Sequence, residues 1–200
     1  LGGRTKLAAM IKSGGCEEVM HIFDYLTTMI EKSNVKVSLK TEVDERLIRK
    51  VAPDAVVVAN SSPYFIPDIP GMSRKNVFTI PMMSKLAQVP MKMFGPDKLA
   101  SMSEKFFPVG KKVLIWGAGA EGAQCAEFMR KRGKEIVLVA ENDDIGGLIP
   151  LKYKERIVPW FERKNVRIVR NSTVVEFTKK GAVVRGADGS EELIECDSMM

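Results

Sequence analysis

From residue 109 onward, continuous apolar runs alternate with stretches of helical spacing. Val113-Leu114-Ile115-Trp116 is unbroken apolar sequence opened by Lys111 and Lys112. A short apolar run bounded by turn residues predicts a strand covered on both faces, as in a parallel sheet. Glycine-rich residues 117–122 follow, and Ala123 to Arg132 read as a helix stopped at Gly133. Glu135 to Ala140 is a second apolar strand that ends at Glu141. Further on, Thr173 to Phe177, Ala182 to Arg185 and Leu193 to Cys196 read as a three-stranded meander. Its turns fall at Lys179-Lys180-Gly181 and Ala187-Asp188-Gly189-Ser190.

The upstream half is less regular. Residues 1–15 read as a glycine-bounded loop, 16–33 as a helix, and Val35 to Leu39 as a short strand. Asp44 to Lys50 predicts a short helix, and the run Ala55-Val56-Val57-Val58-Ala59 a buried strand. Residues 61–71 form a proline-rich crossing, and 72–108 a connector that holds half of the twelve methionines. Methionine suits adaptable packing, and here also a contact surface for a further domain.

Three segments recur in order. Leu1-Gly2-Gly3 matches Ile145-Gly146-Gly147, residues 30–37 match 161–168, and 53–57 match 196–200. Repeats in fixed order indicate duplicated architecture. The chain opens at Leu1 and stops at Met200 in a strand-like segment, so both ends read as cut. The expected organisation is a first nucleotide-binding fold over 1–75 without its opening strand–glycine loop–helix, a connector over 76–108, and a second fold over 109–200 without its closing strand.

The glycine-rich segment is Gly117-Ala118-Gly119-Ala120-Glu121-Gly122. Placed between a strand and a helix, G-x-G-x-x-G is a dinucleotide-binding fingerprint. Gly117 allows the tight turn, Gly119 lets a pyrophosphate approach the backbone, and Gly122 lets the helix pack closely. Ala118 and Ala120 are small enough not to obstruct this. The helix start presents unpaired N–H groups and the positive end of its dipole to the phosphates. Glu141 lies 19 positions after Gly122, near the spacing at which an acidic residue accepts hydrogen bonds from the adenosine ribose. With Asn142, Asp143 and Asp144 it makes an acidic loop that repels a 2′-phosphate, which favours NAD(H) over NADP(H). A glycine turn that binds nothing is the alternative.

Composition changes little. The chain is 45% hydrophobic and 28% charged with a net charge of +6, ordinary for an α/β protein. No apolar run approaches the length of a membrane span, and no signal peptide is visible. The basic residues are scattered, and the cluster Arg130-Lys131-Arg132-Lys134 sits at a helix C-terminus, where cations complement the dipole. No aromatic-basic motif points to nucleic acid. Cys16, Cys125 and Cys196 are far apart and form no C-x-x-C, so this stretch holds no local dithiol, iron–sulfur or zinc motif. Three free thiols fit a cytoplasmic protein. The lone His21 sits in a helical stretch and reads as structural or surface.

The segment Val56 to Pro63, followed by Pro67-Asp68-Ile69-Pro70-Gly71, resembles the strand, A-T-G and P-x-I-P-G region of flavoproteins with two dinucleotide-binding domains. The order L-G-G-R, helix, strand, A-N-S, I-P-G, connector, G-A-G-A-E-G is most similar to the C-terminal part of the trimethylamine dehydrogenase and 2,4-dienoyl-CoA reductase family, NADH:flavin oxidoreductases related to old yellow enzyme. The resemblance spans nearly the whole chain. It implies an α/β, Rossmann-like fold of two dinucleotide-binding domains. It implies that Gly117, Ala118, Gly119, Ala120, Glu121, Glu141 and Asn142 hold NAD(H). It also implies that Gly3, Arg4, Ala59 and Asn60 border an FAD shared with an upstream segment, and that an N-terminal barrel partner carries FMN and a 4Fe-4S cluster. Asn60-Ser61 stand where the family has Thr-Gly, and Gln124 where related reductases often carry glutamate. Hydride delivery from NADH to FAD and onward to FMN is the implied activity. A non-catalytic scaffold that binds ADP is the alternative from another class.

Overall fold

A parallel sheet forms where the apolar runs predict it. The computed structural model describes residues 2, 5–11, 16–60 and 64–200, without the side chains of 16–18 and 97. Strand β1 (Lys112–Trp116) pairs in parallel with β2 (Glu135–Val139), Lys112 opposite Glu135 and Trp116 opposite Val139. Strand β3 (Arg167–Val169) lies outside β2, and β7 (Ser198–Met199) runs parallel to β1, for a sheet order β3-β2-β1-β7. The Phe78 N–H donates to the Met199 carbonyl at 2.8 Å, so the connector extends this edge.

Helices α5 (Ala120–Lys131) and α6 (Leu151–Arg163) carry the chain between the parallel strands. The meander β4 (Ser172–Phe177), β5 (Gly181–Gly186) and β6 (Glu191–Glu195) forms a separate antiparallel sheet. Strand alternation divides the core between these two covers. Val113, Ile115, Ile136 and Leu138 pack toward the helices with Ala126, Ile157 and Phe161. Leu114, Val137 and Val139 pack toward the meander with Phe177, Val184 and Ile194. Both faces of the sheet are thus buried, which is why its strands read as unbroken apolar sequence.

The upstream half differs from expectation in three places. Residues 1–15 contain helix α1 (Thr5–Ile11), which buries Ala9 and Met10. It packs against α2 (Cys16–Lys32) and α4 (Ile80–Lys105). Val35 to Leu39 forms no strand, and neither does Ala55 to Ala59. Val57 is 89% and Val58 76% exposed. A strand needs a neighbour for its backbone groups. The matching segments 167–168 and 198–199 have β2 and β1 beside them, whereas no described strand adjoins 35–39 or 55–59. The helix expected near 44–50 is α3 (Glu45–Val51), capped by Asp44, whose carboxylate accepts from the Leu47 N–H at 2.8 Å.

One position of the repeat keeps its backbone form. Gly2 (φ +94°) accepts from the Thr5 N–H at 2.8 Å, and Gly146 (φ +97°) from the Ile149 N–H at 3.0 Å.

The connector is mostly α4, interrupted at Gly95 and carrying Pro90 and Pro96. The basic cluster anchors it. The Arg132 guanidinium lies 3.4 Å over the Phe128 ring and donates to the Ser103 hydroxyl at 2.9 Å and the Ala100 carbonyl at 3.3 Å, both on α4. Lys134 reaches the Val109 carbonyl at 2.9 Å.

Phe161 is fully buried under the sheet. Phe161→Ala is predicted to cost about 3–5 kcal/mol, read as a lower denaturant midpoint for the full-length protein.

Candidate functional site

The site grows from the turn between β1 and α5. Gly117 has φ +99°, a left-handed conformation that favours glycine, and its N–H donates to the Val139 carbonyl at 3.0 Å. The chain thus leaves β1 sharply while still tied to β2. Gly119 is the N-cap of α5 and has no side chain to cap it, so the first-turn N–H groups receive no side-chain acceptor there. Glu121 is the acidic residue of that first turn.

The three fingerprint glycines have distinct roles. A Cβ at Gly117 or Gly119 would meet nothing within 4 Å, so open space borders both. A Cβ at Gly122 would collide with the Gly117 carbonyl oxygen. Beyond Gly117, the next residue it would meet is Ile115, at Cγ2, 3.8 Å away. Gly122 therefore seats the helix against its own turn first and against the sheet second. Ala118 is buried and its carbonyl accepts from the Gly146 N–H at 2.6 Å. A Cβ on Gly147 would lie 3.6 Å from the Ala120 nitrogen, so the 146–147 turn forms one wall. This wall is not part of the fingerprint. Its one sequence signal is the repeated L-G-G segment.

A cavity of about 360 Å³ adjoins the turn on the β7 side. Its walls include Gly117, Gly119, Ala120 and Glu121 from the turn, Met200 beyond β7, and aromatic residues Tyr64, Phe78 and Trp116. Trp116 packs edge-on against Phe177, ring centroids 6.3 Å apart.

On the other side of β1, β2 delivers Glu141 to the same edge of the sheet. The Ala140 N–H donates to the Val169 carbonyl at 2.8 Å, and the Ala140 carbonyl accepts from the Ser172 N–H at 2.9 Å. Glu141 is exposed, and its carboxylate has no partner among the described residues. The Asn142 side-chain oxygen is engaged locally, accepting from the Asp144 N–H at 2.9 Å. Asp144 pairs with Lys154 at 2.6 Å. Sequence reasoning missed Lys154, Arg170 and Asn171, which all reach this loop.

The structure brings Gly117, Ala118, Gly119, Ala120 and Glu121 together and sets Glu141 and Asn142 at the end of the neighbouring strand. Gly3 and Arg4 lie outside the described residues. Ala59 and Asn60 are exposed and do not line the cavity. His21 is exposed on α2.

Cys125 lines the same cavity, and its thiol donates to the Met200 sulfur at 3.2 Å. Burial pushes the Cys125 thiol up to about 12 and, with smaller opposing contributions, the Cys196 thiol up to about 11. A thiolate is the reactive form, so neither is poised for redox chemistry at neutral pH. Among the described residues no group of acidic, histidine or cysteine side chains could hold a metal ion, and no helix is long and apolar enough to cross a membrane.

The family model described as pyridine nucleotide-disulphide oxidoreductase matches residues 9–200, and the chain belongs to that family. It is 20% identical over its whole length to an NADH oxidase of Thermoanaerobacter brockii, of which it covers 28%. It is 24% identical over 98% of its length to a bilirubin reductase of Mediterraneibacter gnavus (strain CC55_001C), of which it covers 27%. The chain thus spans little more than a quarter of these relatives. Among solved structures, a 2-naphthoyl-CoA reductase in complex with 2-naphthoyl-CoA superposes on the full chain with a TM-score of 0.70 at 22% identity, covering 27% of that protein. The fold is α/β and Rossmann-like, as the fingerprint implies.

Both described thiols are predicted to resist alkylation in the folded protein at mildly alkaline pH and to react once it is denatured. Mass spectrometry of the labelled peptides reads this directly. The raised thiols also stabilise the fold below the unfolded-state value near 9. That contribution is lost as pH climbs from there toward the folded values, so Cys125→Ala is predicted to flatten the alkaline fall in stability.

Proposed function

We propose that this member of the pyridine nucleotide-disulphide oxidoreductase family is the NADH-binding part of a flavin-dependent oxidoreductase. The observation that carries this reading is the juxtaposition of the open glycine turn, the uncapped start of α5 and the unpartnered Glu141 along one edge of a parallel sheet. Dinucleotides bind at this edge in doubly wound folds.

The residues present fit the ligand. The space beside Gly117 and Gly119 is what a pyrophosphate needs to reach the backbone, and a bulky side chain there would fill it. The first-turn N–H groups of α5 hold the phosphates with the helix dipole behind them. Glu141 accepts hydrogen bonds from the adenosine ribose hydroxyls. The aromatic-walled cavity on the β7 side takes the nicotinamide end. Bound NADH supplies the hydride. This chain's residues bind and orient it, and none of them is assigned as a general acid or base.

The sequence resemblance to the trimethylamine dehydrogenase and 2,4-dienoyl-CoA reductase family, with coverage of little more than a quarter of the relatives, supports a longer polypeptide. An FAD would border the first fold, and an N-terminal barrel with FMN and a 4Fe-4S cluster would receive the electrons. The scaffold alternative, in which the site holds ADP alone, predicts equal affinity for ADP and NADH.

Calorimetric titration tests these readings. NADH is predicted to bind more tightly than NADPH or ADP, and Glu141→Ala to remove most of the preference over NADPH. Equal binding of ADP and NADH would favour the scaffold. Gly119→Val is predicted to abolish NADH binding with an unchanged melting temperature, since Gly119 has φ −64° and open surroundings. Gly122→Val, by contrast, is predicted to destabilise the fold through its contact with the Gly117 carbonyl.

A further inference from the structure

We propose that the Arg170-Asn171 turn between β3 and β4 is a specificity-determining brace that sets the coenzyme preference of the site. It holds the 141–144 loop so that Glu141 alone keeps an unengaged carboxylate. The inference rests on the NADH reading above and deepens it.

The turn is itself well fixed. Asn171 has φ +49°, and the Ser172 hydroxyl donates back to the Arg170 carbonyl at 2.8 Å. The strands on either side grip Ala140 from both directions, at Val169 and at Ser172. From this platform two side chains reach the loop that follows Glu141. Arg170 Nη1 donates to the Asp143 carbonyl at 3.1 Å, and the Asn171 amide to the Asp143 carboxylate at 3.3 Å. Lys154 of α6 pairs with Asp144 at 2.6 Å.

The electrostatic consequence differs from what the sequence suggests. Residues 141–144 contain three carboxylates. Asp143 is engaged by Asn171 beneath the Arg170 guanidinium contact, and Asp144 is paired with Lys154. Asp144 is neutralised by its ion pair, Asp143 keeps its charge but is turned to Asn171, and Glu141 is the carboxylate left free to meet a ribose. Discrimination against a 2′-phosphate falls first to Glu141, and its placement depends on the anchored residues next to it. Arg170 and Asn171 touch no coenzyme in this scheme and are positioning residues.

A double-mutant cycle on the full-length protein tests this, with NADH and NADPH titrated against wild type, Arg170→Met, Glu141→Gln and the double variant. Arg170→Met is predicted to weaken NADH binding about tenfold and to narrow the preference over NADPH. At saturating NADH kcat stays unchanged, so the loss appears in KM. In the Glu141→Gln background the same substitution is predicted to change NADH affinity less than about twofold, because what Arg170 positions is gone. Arg170→Lys, which keeps a cationic donor, recovers most of the affinity. Asn171→Gly keeps the left-handed backbone and removes only the amide, so it serves if Arg170→Met fails to fold; a loss in the same direction is predicted. An unaltered NADH affinity in Arg170→Met, or an equal loss in both backgrounds, overturns the brace while leaving the coenzyme reading intact. No NADH binding by the wild-type protein overturns the coenzyme reading and the brace with it.

Discussion

The contact between Gly122 and the Gly117 carbonyl is the constraint on which the site depends. Gly117 can leave β1 only through a left-handed backbone conformation, and α5 can start at once only because Gly122 has no Cβ to strike that turn. Together they place the first turn of α5 directly at the end of β1. The parallel register of β1 and β2 then fixes where Glu141 emerges, because Trp116 lies opposite Val139. The close fit of one glycine to one carbonyl thus brings the uncapped first-turn N–H groups of α5 and the Glu141 carboxylate to a common edge. Burial of Leu114 under the meander and of Val113 and Ile115 under the helices keeps that edge rigid.

In the second half of the chain β1, α5, β2 and the meander were legible because their signals are local, whereas α6 and β3 were not read. β1, β2 and the meander strands all read correctly from continuous or alternating apolar sequence, since each has a partner that makes its pattern meaningful. The run Val56-Val57-Val58 carries an equally strong strand signal and forms none. An apolar run states a preference, but a strand exists only beside another backbone. The same reasoning explains α1, where Gly2 and Gly3 suggested a loop although Met10 and Ala9 find a buried site.

In the candidate site, the glycine spacing and Glu141 could be read because they belong to one continuous strand–turn–helix–strand segment. The 146–147 wall, Lys154 and the Arg170-Asn171 brace could not. The side-chain contacts of Lys154, Arg170 and Asn171 join residues 10 to 28 positions apart and leave no periodic trace, and the wall is a backbone contact that the repeated glycines mark without showing what they face. The cluster Arg130 to Lys134 shows the same limit. As sequence it is a basic patch at a helix end, whereas in the fold Arg132 and Lys134 are hydrogen-bonded anchors for the connector.

Hydrogen exchange of the full-length protein with and without NADH tests the central claim most directly. Bound NADH is predicted to slow exchange in residues 117–122 and around Glu141, with little change in the distant β4–β5–β6 turns. Protection confined to other parts of the chain, with none in the glycine turn, would contradict the assignment of this edge as the coenzyme site.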